Sequence, residues 1–303
     1  MRAPDAVVEA LRARGELWEA APGLVGLRGA ALERLDEVDA ACEALARAAG
    51  AAPWRVPPGL ALGTLERARY FASFPHWLTT AAHLRDDVRA LERVAAAAAP
   101  LDALPDATCA AGAALPPAVC YHVYAALADR RLGGMMAVTA QCTCWRHEGD
   151  RHAPLARGWA FTMREVVVVG DAAACAVART RLADATLALA RSVGLDARWI
   201  LAEDPFFAPT ARGQALLQRV KGLKRELVVD LPDAPPLAIA SVNDHERYFG
   251  DAFGILVGDG EVASSSCVAF GLERWLLARL CTEAAPPASR ARLRPTIHVG
   301  EIA

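Results

Sequence analysis

The stretch Cys144–Glu165, CWRHEGDRHAPLARGWAFTMRE, decides how this chain folds. It sits between two apolar runs. Gly133-Gly134 turns the chain into a strand from Met136 to Arg146, and residues 160–169 (AFTMREVVVV) read as a second strand. The polar loop Gly149–Gly158 joins them, so the pair reads as an antiparallel hairpin. Side chains alternate in extended backbone, which puts Arg146 and Glu148 on one face and Phe161, Met163 and Glu165 together on the partner strand. An Arg beside a Glu, an Arg-bearing loop and a returning aromatic suit a nucleotide. The guanidinium forks onto the α-phosphate, the carboxylate accepts from the adenine amine, and the ring stacks on the base. Phe161 and Glu165 lie roughly 13 Å apart along the strand, close to the reach from an adenine to the amino group of an aminoacyl adenylate. The same residues also suit a salt-bridged surface hairpin.

Working outward, Ala31 to Ala49 places Leu32, Leu35, Val38, Ala41 and Cys42 on one helical face, and Gly50 stops it. Prolines 53, 57, 58, 75, 100 and 105 then interrupt the chain, which excludes a long coiled-coil arm. Pro116 and Pro117 open a helix expected to reach Arg131. Asp171 caps an amphipathic helix to about Ser192, with Gly194 as its stop. Strands are expected at 196–201, 226–231 and 236–242, a basic helical segment at 208–222, and a last helix from Gly271 to Cys281. The fold class is α+β, an antiparallel β-sheet flanked by helices: a mostly helical region 1–100, then a sheet-bearing unit 101–303. No glycine-rich GxGxxG or GxxxxGK[ST] loop follows a strand, which excludes a doubly wound nucleotide fold.

Of the 303 residues, 54% are nominally hydrophobic, but 68 are alanine, so the large apolar core is smaller than that figure suggests. The net charge is −2, with 31 Arg and only two Lys, Lys221 and Lys224. Composition excludes a polybasic tail and a disordered chain. No apolar run approaches the roughly 20 residues of a membrane span, and no export signal is read at the N-terminus. A cytoplasmic protein is expected, with its eight scattered cysteines reduced.

A second segment, Val268-Ala-Phe-Gly-Leu-Glu-Arg274-Trp275, runs from a strand into a helix. With Trp145-Arg146-His147-Glu148 and Phe161-Thr-Met-Arg-Glu165 it resembles motifs 2 and 3 of the class II aminoacyl-tRNA synthetases. Residues 237–255 (LAIASVNDHERYFGDAFGI) are similar to the seryl-tRNA synthetase stretch beside ATP and the amino acid. Ala238 stands where synthetases carry an acid, and Ser264 to Ser266 precede Cys267 where small residues with Gly are usual. The closer resemblance, almost end to end, is to the amino acid:[carrier protein] ligases, truncated relatives of the atypical methanogen-type seryl-tRNA synthetases. It includes Arg55-Val-Pro-Pro58, Tyr70–His76, Leu115–Tyr124 and Cys267–Arg274.

That resemblance implies a zinc ion held by Cys120, Glu165 and Cys267, with a fourth position open to the α-amino group of a small amino acid, glycine or alanine. It implies ATP on Arg146, Glu148, Arg157, Phe161, Glu226 and Arg274, with Arg146 and Arg274 catalytic. Mg²⁺ is expected on the phosphates, with Glu226 a ligand. The acceptor is expected to be the phosphopantetheine thiol of a carrier protein. The basic segment 204–226, with Arg212, Arg219, Lys221, Lys224 and Arg225, is expected to dock that acidic partner; an ordinary solvated helix face accounts for the same charges. A homodimer is expected through the unit near 116–140. Two rivals stay open, a tRNA-charging enzyme and a silent paralogue acting as a binding dimer. The near-neutral charge and missing arm argue against tRNA. A local metal reading, Cys142 and Cys144 with His147 and His152, competes with zinc on Cys120, but strand alternation turns His147 away from the cysteines.

Overall fold

Seven strands hydrogen-bond into one sheet, and the hairpin read from the sequence supplies two of its interior members. The computed structural model describes residues 2–207, 218 and 220–284. In chain order the strands are β1 (Ala52–Pro53), β2 (Met136–Trp145), β3 (Ala160–Gly170), β4 (Ala197–Leu201), β5 (Lys224–Val229), β6 (Leu237–Glu246) and β7 (Ser264–Gly271). Their spatial order is β4-β5-β6-β7-β3-β2-β1. Every pairing is antiparallel except the short parallel contact of β1 with β2. This is the α+β arrangement expected from the sequence.

Val166 to Val169 explain why β3 is central. All four are buried, Val166 and Val168 on one face and Val167 and Val169 on the other. A continuous apolar run is what a strand covered on both faces requires; each valine contributes roughly 1.5–3 kcal/mol by leaving water. Four helices cover the first face: α1 (Ala3–Ala13), α2 (Gly29–Ala48), α4 (Ala172–Ser192) and α6 (Leu272–Ala284). Leu11, Val38, Leu182 and Trp275 pack there with Phe270 of β7. Part of the other face is covered by α3 (Cys120–Ala126) and α5 (Tyr248–Phe253), through Val123, Tyr124, Phe249 and Phe253. Among the described residues, much of the rest of it borders a cavity.

Helix α4 starts as read: the Asp171 side chain accepts from the Ala174 N–H at 2.8 Å. The helix expected from Pro116 to Arg131 is shorter, starting at Cys120 and ending at Ala126. Pro116 and Pro117 instead lend their carbonyls to the sheet, to Trp145 N at 2.8 Å and Arg146 Nε at 3.0 Å. Asp129, at φ 59°, ends the helical path. The first hundred residues also carry a hairpin the sequence reading missed, Leu17–Ala21 with Leu24–Leu27. Residues 60–61, 80–84 and 108–114 form a separate three-stranded sheet. No helix among the described residues is long and apolar enough to cross a membrane.

Candidate active site

Strand register gathers the site. Directly paired residues of antiparallel neighbours share a face. Glu226, Ser241, Ala269, Glu165 and Ala140 therefore form one row across five strands. Two residues along, Lys224, Asn243, Cys267 and Val167 form the next row on the same face. Above them lies a cavity of about 400 Å³.

At one end of the cavity stand the residues expected to hold a nucleotide, Arg146, Glu148, Arg157, Phe161, Glu226 and Arg274. Arg146 donates from Nε to Pro117 O at 3.0 Å, and its guanidinium lies over Trp77 at 4.9 Å and Phe161 at 5.4 Å. Two rings thus hold the guanidinium flat and leave its remaining N–H groups to the cavity. Glu148 and Arg157 are ion-paired at 3.2 Å. Arg274 donates to Ala156 O at 2.7 Å and to Ala238 O at 3.2 Å, tying the loop between β2 and β3 to α6. Burial and the nearby Arg146 both hold the Arg274 guanidinium below its ordinary value. Beside it Glu273 accepts the Thr162 N–H on both carboxylate oxygens, at 2.8 and 2.9 Å.

At the other end stand Cys120, Glu165 and Cys267. Glu165 accepts the Val119 N–H at 3.0 Å through Oε1, while its Oε2 is buried without a hydrogen-bond partner. Burial, then the Cys267 sulfur, pushes its carboxyl well above the usual carboxylate range. The neighbouring Cys120 thiol draws Cys267 well below an ordinary thiol, against the effect of burial. His245 and Asn243 add to this, the latter donating to Cys267 Sγ at 3.4 Å. His245 Nε2 lies 3.9 Å from that sulfur, and its Nδ1 lies 2.9 Å from the Tyr124 hydroxyl. Among the described residues no group of three or more His, Cys, Asp and Glu side chains is drawn together as a metal centre. That holds equally for the local reading: Cys142 and Cys144 are buried 3.7 Å apart, and neither His147 nor His152 completes a set with them.

The basic segment divides. Arg212 and Arg219 lie outside the described residues. Lys221 is half-exposed and pairs with Glu246 at 2.8 Å; Arg225 lies over the Trp199 ring at 5.6 Å. Lys224 corrects the sequence reading of an exposed docking cation. It is 8% exposed, and its ammonium pairs with Asp204 at 2.6 Å and Glu226 at 3.1 Å inside the cavity wall. Strand alternation explains the difference, because Lys224 and Glu226 point to the site while Arg225 points away. Gln218 completes the cluster, donating to Asp204 at 2.8 Å. Nothing in the sequence marked Asp204 or Gln218, since they meet Lys224 only through the return of the chain into β5. The aromatic wall of Phe74, Trp77 and Phe206 was equally hidden: Phe74 stacks on Trp77 at 5.2 Å and on Phe206 at 5.0 Å.

No protein-family model matches the chain. Amino acid–[acyl-carrier-protein] ligase 1 of Bradyrhizobium diazoefficiens is 35% identical over 243 residues, covering 78% of this chain and 73% of the relative. Ligase 2 of the same organism is 35% identical over 269 residues, 86% of this chain and 78% of the relative. Among solved structures, the M. kandleri SerRS bound to A. aeolicus tRNASec superposes with a TM-score of 0.81 at 22% identity over 93% of this chain. The cytoplasmic serine-tRNA ligase of Naegleria fowleri, in complex with AMP, gives 0.72 at 14% identity over 97%. The chain spans 58% and 59% of these two structures, and at such identities they establish the fold alone. The seven-stranded sheet with its helices is thus the class II aminoacyl-tRNA synthetase catalytic fold, and the chain belongs to the amino acid–[acyl-carrier-protein] ligase family, as a ligase.

Proposed function

We propose that the protein activates a small α-amino acid, glycine or alanine, with ATP and transfers the aminoacyl group to the phosphopantetheine thiol of a carrier protein. The observation that carries this reading is a single cavity lined by both sets of residues, Arg146, Phe161 and Arg274 at one end and Cys120, Glu165 and Cys267 at the other. In the first step an amino acid carboxylate oxygen attacks the α-phosphorus and pyrophosphate leaves. Arg146, braced between two rings, balances charge on the α-phosphate. Arg157 and Arg274 meet the outer phosphates in exchange for their present partners, Glu148 and the Ala156 carbonyl. Glu148, once released, accepts from the adenine amine, and Phe161 stacks on the base. In the second step the carrier thiol loses its proton, its sulfur attacks the acyl carbon, and AMP leaves. No enzyme nucleophile takes part; orientation and fixed charge supply the rate.

The unpartnered Glu165 Oε2 beside two thiols suits a zinc ion, which two thiolates and one carboxylate would hold with a fourth position free. When bound, zinc supplies a Lewis-acid grip on the substrate amino group. Glu226, ion-paired to Lys224 here, would hold Mg²⁺ at the phosphates, where the ion would offset their charge. Tyr121, Phe249 and Tyr248 support a small substrate side chain, for they close the Cys120 end with edge-on ring contacts of 5.8 and 5.1 Å. In this reading the chain works in the cytoplasm as a homodimer through the unit near 116–140. The segment 204–226 receives the carrier through Arg212, Arg219, Lys221 and Arg225, and tRNA is not a substrate.

Pyrophosphate exchange with Gly, Ala and Ser tests the first step, and thioester formation on a phosphopantetheinylated carrier tests the second. Expected are exchange with Gly or Ala, thioester without tRNA charging, about one zinc per chain, and loss of both in Cys267→Ala. Fully active metal-free protein overturns the zinc assignment. Charging of tRNA overturns the acceptor, and absence of exchange overturns the reading as a whole.

A further inference from the structure

The hairpin Leu17–Leu27 has no part in the motifs that define the site, yet it reaches the nucleotide end. Its tip is Gly23, at φ 75°. The Gly23 carbonyl accepts the Trp159 N–H at 2.9 Å and the Ala160 N–H at 3.3 Å. These are the residues that lead the chain into β3, one step before Phe161. The approach is close enough to require glycine: a Cβ at position 23 would stand 2.5 Å from His152 Nδ1 and 2.7 Å from Trp159 N. Gly158 faces it from the other side, where a Cβ would stand 3.2 Å from Gly23 O. Two residues on from the tip, Val25 lines the cavity together with Leu155, Ala156 and Arg157. Ala156 is the residue whose carbonyl Arg274 holds. The hairpin is anchored at its base, where Leu17 is buried in the main core and Leu27 packs against it.

Resting on the nucleotide reading above, we infer that this hairpin completes the ATP site. Val25 is a wall of the nucleotide subsite, and Gly23 is a positioning residue that sets Phe161 and the loop carrying Arg157. The N-terminal region thereby determines nucleotide affinity, although every charged group of the subsite belongs to the sheet, to the connection between β2 and β3, or to α6. An apolar wall made by a separate segment suits the base, since adenine presents a flat apolar face and the hairpin brings no charge to the cavity.

Binding of a hydrolysis-resistant ATP analogue, read by calorimetry beside pyrophosphate exchange, tests this. Val25→Ala removes two methyl carbons from the cavity wall and is expected to weaken analogue binding and raise the KM for ATP about 5–10-fold. The KM for the amino acid should stay within about twofold, and Val25→Ile should keep near-normal affinity. Gly23→Ala should do the same through Phe161; if it fails to fold, the Val25 pair still decides. Val25→Ala protein that melts normally and binds the analogue within about twofold of wild type overturns the inference, as does a parallel rise in both KM values. Wild type that binds the analogue but shows no amino-acid-dependent exchange sinks the proposed function instead, and the Val25 comparison then stands on binding alone. Wild type that binds no ATP analogue overturns both.

Discussion

Glu273 shows how a buried carboxylate can hold a site it does not touch chemically. Both its oxygens take the Thr162 N–H, and burial is the largest influence on the group, pushing its carboxyl above the usual range. Glu273→Ala leaves that N–H buried and unpaired, which costs about 1–3 kcal/mol. Thermal or denaturant unfolding should show this loss, with a raised KM for ATP because Thr162 follows Phe161. Glu273→Gln keeps an acceptor and should lie closer to wild type in both measurements; a Gln variant as damaged as the Ala variant would assign the role to charge instead. Strand alternation and neighbour order in the sequence put Arg146, Phe161 and Arg274 near one another, and all three line the cavity. The sequence reading failed for Lys224, whose sequence neighbours Lys221 and Arg225 are not buried. Only the strand face separates them.

At the scale of elements, local signals predict where α4 begins and the fold decides what that costs. Asp171 is exposed, and its cap bond should contribute about 1 kcal/mol. Asp171→Ala should lose that much in unfolding while exchange activity stays unchanged, because α4 lies on the face of the sheet opposite the cavity. Asp204, just after β4, is held by charge instead. Burial alone would raise the Asp204 carboxyl, but Lys224 and Gln218 outweigh it and hold it below its ordinary 3.8. A depressed acid stabilises the fold above its unfolded value and loses that contribution as pH falls through the folded one. The stability gap between wild type and Asp204→Asn should therefore be full near neutrality and shrink below about pH 4. A gap that widens on acidification would show that the pair is not formed. Lys224 is held above its ordinary 10.5 despite burial, so its share is present below that value and lost as pH rises past it.

For the whole molecule, the joint between the first fifty residues and the sheet matters most. Helices α1 and α2 bury Leu11, Val38 and Cys42 in the same core as Val166 and Trp275. The buried Arg164 guanidinium of β3 pairs with Asp39 at 2.6 Å and Glu43 at 3.1 Å on α2. Arg164→Ala should cost on the order of 2–4 kcal/mol, since it strips Asp39 of its cation, leaves Glu43 with Arg47 alone and opens space beneath α2. Calorimetry should show one unfolding transition in which α1 and α2 melt with the sheet; a separate early transition for them would contradict the shared core. By itself the sequence determined the elements whose signals are local. The alternation of β2 and β3 and the helical face of α2 rest on periods of two and 3.6 that short-range geometry imposes, the valine run and the Asp171 cap on residue type, and the motif residues on resemblance to a known family. Tertiary structure alone decided which distant residues meet. Cys120, Glu165 and Cys267 come together through strand register and the placing of α3, Asp204 meets Lys224 through the return of the chain into β5, and Gly23 reaches Trp159 across a turn no sequence period encodes. Those contacts arise because burying one sheet face under helices leaves the other face free to be lined by whatever side chains the register presents.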